Sequence, residues 1–190
     1  PGLFGASYVG WEALVFASGL DQTKVNLQSI GFTQATAVSL DQVDAALEYV
    51  VNGPVQLRLA GKEVVVLPVS DYIDLPSNGI ITNDRVIQEQ PALVKALVTA
   101  TLRGLADTLQ EPEQAFEISL KAVPEAGGAN AGVSRAIFDE SLKLWQSDAA
   151  DLGRSDPEAW RKAAAFMKEM GLIQTAVTPT DLFTNDFVRR

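Results

Sequence analysis

The chain has 190 residues, 47% of them hydrophobic, enough to bury a sizeable core as one domain or two small lobes. Its 24 acidic and 15 basic side chains give a formal net charge of -9, which argues against nucleic acid or an anionic membrane as partner. It contains neither cysteine nor histidine, so disulfides, thiolate metal sites, Cys nucleophiles and imidazole bases are excluded from this chain.

The opening stretch PGLFGASY places Gly2 and Gly5 in a loop that feeds an apolar helix predicted over Tyr8 to Ser18, with Ser7 as N-cap and Gly19 as C-terminal cap. Val9, Ala13, Leu14 and Ala17 supply its apolar stripe. KVNLQSIG then alternates and reads as a strand, so loop, helix and strand form a βαβ unit whose first strand is expected just before Pro1. A short helix is expected from about Thr36 to Leu40, a buried strand over Val43 to Val50, a helix opened by Pro54 and ended by Gly61, and a strand in KEVVVLPV. Up to about Val69 this alternation predicts a parallel-type α/β sheet.

The character changes at SDYIDLPSNGIITND, a turn-rich linker that leads into a short strand, GIIT. From Pro91 the pattern is helical, with Leu93, Val94, Leu97, Val98, Leu102 and Leu105 as one stripe of a long helix. EPEQAFEISLKAV, VSRAIFDESLKLW and WRKAAAFMKEM read as further helices, the last opened by Asp156-Pro157 and closed by Gly171, while PEAGGANAG reads as a loop. GIIT has no partner strand in this half, a second sign that strands are supplied from outside the chain.

No apolar run is long enough to span a membrane, and no leader is visible at Pro1. The GLFGAS loop exposes backbone N–H groups suited to an anion or a polar ligand edge, or it is a tight turn that packs the helix. It fits neither a P-loop nor G-x-G-x-x-G. Tyr8, Tyr49 and Tyr72, with Phe4 and Phe32, sit at predicted strand ends or loops, where ligands gather in an open α/β sheet. Up to Ser77 the basic side chains are Lys24, Arg58 and Lys62, all on expected surface, which favours a neutral aromatic ligand over an anion. Asp41/Asp44 and Asp139/Glu140 read as solvated surface, and Trp145, Trp160, Phe166 and Met167 as core.

Taken in order, PGLFGASY, SIGFTQ, QVDAALEYVVNGPVQL, SDYIDLPSNGIITND, LVKALVTATLRGLADTLQEPEQAFEISLKAVP and TNDF resemble ABC-transporter substrate-binding proteins. The group is the one related to thiamine-pyrimidine precursor synthase, alongside the nitrate/sulfonate/taurine binders. The resemblance implies an α/β, two-lobed fold of periplasmic-binding-protein type II, with residues 1–72 as the second lobe, 73–82 as crossover and 83–190 as the mostly helical part of the first lobe. The opening part of that first lobe would lie in an N-terminal segment absent from this chain. Carried over by position, Phe4, Gly5, Ala6, Ser7 and Tyr8 would face the ligand, with Tyr49, Asn52 and Tyr72, and with Ser77 and Asn78 near the crossover.

The function so implied is capture of a small aromatic, vitamin-like heterocycle for an importer, with a permease as partner and no cofactor, metal or catalysis. The expected location is periplasmic or otherwise extracytoplasmic, free or lipid-anchored. Pyrimidine-precursor binders of the group resemble one another in an Asn-Glu-Pro turn, where this chain has Asn52-Gly53-Pro54. That departure makes a flavin a competitor for a thiamine pyrimidine precursor. An anion binder of the same fold, a pyrimidine-precursor synthase and the effector domain of a transcription regulator are the alternatives. The synthases look dependent on His and a Cys-rich iron motif, and this chain has neither residue type.

Overall fold

A computed structural model describes residues 2–145 and 151–188. The chain divides into two compact units, one formed by residues 1–75 and 165–175, the other by residues 76–164 and 176–190.

In the first unit, α1 covers Gly5–Ser18, α2 Gln34–Ser39 and α3 Gly53–Leu59. Helix α1 begins three residues before the expected Tyr8, with Phe4 rather than Ser7 at its N-cap and no side-chain cap. Gly5 explains the difference: at φ +75° it makes the turn into the helix itself, in a region that glycine occupies without Cβ strain. At the other end Gly19 is left-handed and donates its N–H to the Val15 carbonyl at 2.9 Å, the expected cap. Helix α3 starts with Pro54 in its first turn, where the missing N–H costs no intrahelical bond.

The core of this unit gathers Ala13 and Val15 of α1, Ala37 of α2, and Val55 and Leu57 of α3, with α2 packed on α3. Phe166, 1% exposed, closes it with its ring 5.6 Å from that of Phe16. Of the expected α1 stripe Ala13 is buried, Val9 and Leu14 are half-buried, and Ala17 faces outward.

The expected strands do not pair. Among the described residues there is no β-ladder, and Val25–Ile30, Ala45–Tyr49 and Lys62–Pro68 carry no regular hydrogen-bonded structure. The segment over Val43 to Val50 is not buried either. The reason is physical: a helix satisfies its N–H and C=O groups within itself, whereas a strand needs a neighbour to complete its bonds. Val25 adopts strand-like dihedrals (φ -114°, ψ 125°), yet its side chain and those of Leu27, Val65 and Leu67 remain exposed, Val65 at 88%.

In the second unit, α4 covers Asp84–Glu89, α5 Pro91–Gln110, α6 Pro112–Ala122 and α7 Ala131–Trp145, followed by α8, Pro157–Glu169, whose last residues belong to the first unit. GIIT is likewise unpaired, with Ile81 95% exposed. On α5, Val94 is buried and Val98, Leu102 and Leu105 are half-buried, but Leu93 and Leu97 stand outward. The expected loop PEAGGANAG is tightened into two 3-10 turns, with Asn130 Nδ2 donating to the Glu125 carbonyl at 3.0 Å.

Two side-chain clusters fix this unit. Arg135 of α7 donates to both carboxylate oxygens of Glu113 on α6 (2.5 and 2.6 Å) and to Asp139 (2.9 Å), while its guanidinium lies over the rings of Phe116 and Phe138. In the closing TNDF stretch, Asn185 accepts from the Ser155 N–H and donates to its carbonyl, both at 2.9 Å, and Phe183 stacks on Trp160. Trp145 is 41% exposed rather than core, because it ends α7 with no covering element among the described residues.

Candidate functional site

The expected ligand-facing residues of the first unit lie on three short pieces of chain. Helix α1 carries Gly5 to Tyr8, the Leu47–Asn52 stretch carries Tyr49 and Asn52, and Tyr72 follows a 3-10 turn over Val69–Asp71. Helix α1 lies against that turn, and at Gly10 it approaches the second stretch so closely that a Cβ would stand 3.0 Å from Leu47 Cδ2. Helix α1 thereby neighbours both of the other pieces. Ser77 and Asn78 are exposed and belong to the second unit.

Phe4 is 73% exposed, and its ring folds back over Gly2, where any Cβ would meet it at 2.5 Å. Tyr49 and Tyr72 are 47% and 46% exposed, so each offers half of a flat, amphipathic ring to solvent. Ser7 and Tyr8 are half-buried, and Ala6 is exposed. Phe32, 88% exposed, stands at the turn before α2. Lys24, Arg58 and Lys62 are all exposed, as expected.

Asn52 is held in one orientation. Its Oδ1 accepts from Gln56 Nε2 at 2.7 Å, its Nδ2 faces Glu48 Oε1 at 3.5 Å, and its backbone N–H donates to the Tyr49 carbonyl at 2.9 Å. The same Glu48 oxygen accepts the Tyr49 N–H at 3.1 Å.

Two carboxylates at the site were not singled out in the sequence. Glu12 is 6% exposed and is approached by Gln22 Nε2 at 3.4 Å. The phenol of Tyr8 is held above its ordinary value of 10.0, first by a hydrogen bond to Glu12, then by burial and by the charge of that carboxylate. Glu48 borders Asn52 as described. The available signal was spacing: Glu12 follows Tyr8 by one helical turn, and Glu48 precedes Asn52 by four residues. The carboxylates that did attract notice have other settings. Asp41 and Asp44 are exposed, Asp139 accepts from Arg135, and Glu140 accepts from Lys143 at 2.6 Å. Among the described residues no group of three or more acidic side chains could hold a metal ion, and no helix is long and apolar enough to cross a membrane.

This arrangement presents exposed aromatic faces, backbone N–H groups and amide and carboxylate oxygens on neighbouring pieces of chain. The model for NMT1/THI5 like proteins covers residues 6–115, and the chain belongs to that family. The Riboflavin-binding protein RibY of Chloroflexus aurantiacus is 41% identical over 99% of this chain and 54% of its own length. The 4-amino-5-hydroxymethyl-2-methylpyrimidine phosphate synthase of Legionella pneumophila is 25% identical over 98% of this chain and 58% of its own. The Formylaminopyrimidine-binding protein of Halalkalibacterium halodurans is 22% identical over 92% and 54%. The chain spans just over half the length of these curated relatives.

Family membership implies a fold of periplasmic-binding-protein type. The described residues are largely helical and form no paired sheet, in contrast to the expected α/β arrangement.

Proposed function

We propose that the chain is the larger part of a solute-binding protein that captures a flavin-like heterocycle, in the first place riboflavin, for an ABC importer. The observation that carries this reading is the 41% identity to a riboflavin-binding protein through 99% of the chain. The exposed half-rings of Tyr49 and Tyr72 and the uncapped, Gly5-led start of α1 support it, because a fused ring system needs faces to stack on and polar groups at its edge. Phe4, Ala6, Ser7, Tyr8 and Asn52 complete the proposed set in the first unit.

In this reading the unpaired extended segments take up strands from a part of the family fold outside this chain, which completes two lobes. Ligand held between the lobes favours their closed arrangement, which a permease then engages. Such a protein works outside the cytoplasm, free or lipid-anchored. No chemical step is needed, and a chain without His or Cys lacks the side chains that the family's synthases look to depend on. The formylaminopyrimidine-binding relative makes an aminopyrimidine the competing ligand.

Quenching of riboflavin fluorescence on titration with the protein tests the reading, with an aminopyrimidine as competitor. Saturable quenching that the pyrimidine fails to reverse is expected. No quenching, or full reversal by the pyrimidine, would overturn the flavin assignment.

A further inference from the structure

Gly53 raises a question that backbone geometry does not answer. It is buried, its φ is not in the left-handed region, and it is the first residue of α3. What the glycine provides is room. A Cβ at this position would stand 2.7 Å from Cγ of Glu48, so the bare α-carbon is the floor on which the Glu48 side chain lies.

Glu48 is half-buried and has neutral donors only: the Tyr49 N–H at 3.1 Å and Asn52 Nδ2 at 3.5 Å, both on Oε1. Among the described residues it has no ion pair and Oε2 has no hydrogen-bond donor. A partly desolvated carboxylate supported this lightly keeps acceptor capacity for another N–H or O–H. Its orientation is not accidental, since Gln56 fixes Asn52 at 2.7 Å and Asn52 in turn faces Glu48. The half-exposed ring of Tyr49 is its immediate neighbour.

Building on the proposed function, we infer that Glu48 determines ligand specificity, its free carboxylate oxygen accepting a ring N–H from a flat heterocycle stacked at Tyr49. In riboflavin that group is the imide N–H between the two ring carbonyls. Gly53 is the residue that makes the contact sterically possible.

The test is flavin fluorescence quenching by the wild-type chain, Glu48→Gln and Glu48→Ala, each titrated with riboflavin and with its N3-methyl derivative. A hydrogen bond to a charged group is worth enough that the wild type should prefer riboflavin by at least about tenfold. Glu48→Ala should lose about tenfold for riboflavin and little for the N3-methyl compound, so the preference collapses, with Glu48→Gln in between. Circular-dichroism melts coinciding with wild type separate this from loss of folding. An unchanged preference in Glu48→Ala would overturn the inference and leave riboflavin binding intact. A wild-type chain that quenches neither flavin would remove the reading on which the inference rests, and the inference with it.

Discussion

At the scale of the residue, the Arg135–Glu113 pair makes a pH-dependent prediction. Two hydrogen bonds from the guanidinium hold the Glu113 carboxyl below its ordinary value of 4.5. A carboxylate depressed in the folded state contributes stability that is fully present above 4.5 and lost as pH falls through the lower folded value. Glu113→Gln should therefore melt below wild type at neutral pH, with the gap narrowing in acid below 4.5; thermal melts across pH check it. Because the Glu113 side chain is 75% exposed, the effect should be small and should shrink further in salt. Gly5 makes the second prediction at this scale. Alanine there finds free space but an unfavourable φ of +75°, so Gly5→Ala should cost about 1 kcal/mol in denaturant melts and redirect Phe4.

At the scale of the element, helices were legible because their signals are local. Pro54, Pro91, Pro112 and Pro157 each lie in the first turn of a helix, and Gly19, Gly61 and Gly171 follow helix ends with positive φ. The short helix α4 was missed, although Asn83 announces it by accepting the Val86 N–H at 3.0 Å. Asn83→Ala should cost about 1 kcal/mol in chemical denaturation if that cap holds the helix start. The strands expected from the β-branched runs are not formed among the described residues, because pairing depends on a neighbour that the run itself does not encode. Packing repeats the lesson. Phe166 reads as core and is 1% exposed, so Phe166→Ala should destabilise by about 3 kcal/mol, measured as a lower denaturant midpoint. Trp145 carries the same apolar signal at a helix end and is 41% exposed, because burial requires something to cover it.

At the scale of the whole molecule, the candidate site was partly legible. The Gly5 turn, the aromatic residues and Asn52 stand out by residue type at turns and segment ends, and helix α1 lies beside the two other pieces that carry them. Glu12 and Glu48 did not stand out, since a carboxylate on an acidic chain reads as solvated surface until its burial and partners are seen. The exposed Val65, Leu67 and Ile81 are the counterpart of the same point. Under the proposed function these unpaired apolar segments would take up partner strands, and supplying such strands should protect the corresponding amides from hydrogen exchange.

Native mass spectrometry of the protein after incubation with riboflavin, with a denatured control, reads flavin capture without a variant or a label. The expected result is the protein mass plus one flavin, lost on denaturation. A bare chain under conditions that preserve its fold would contradict it.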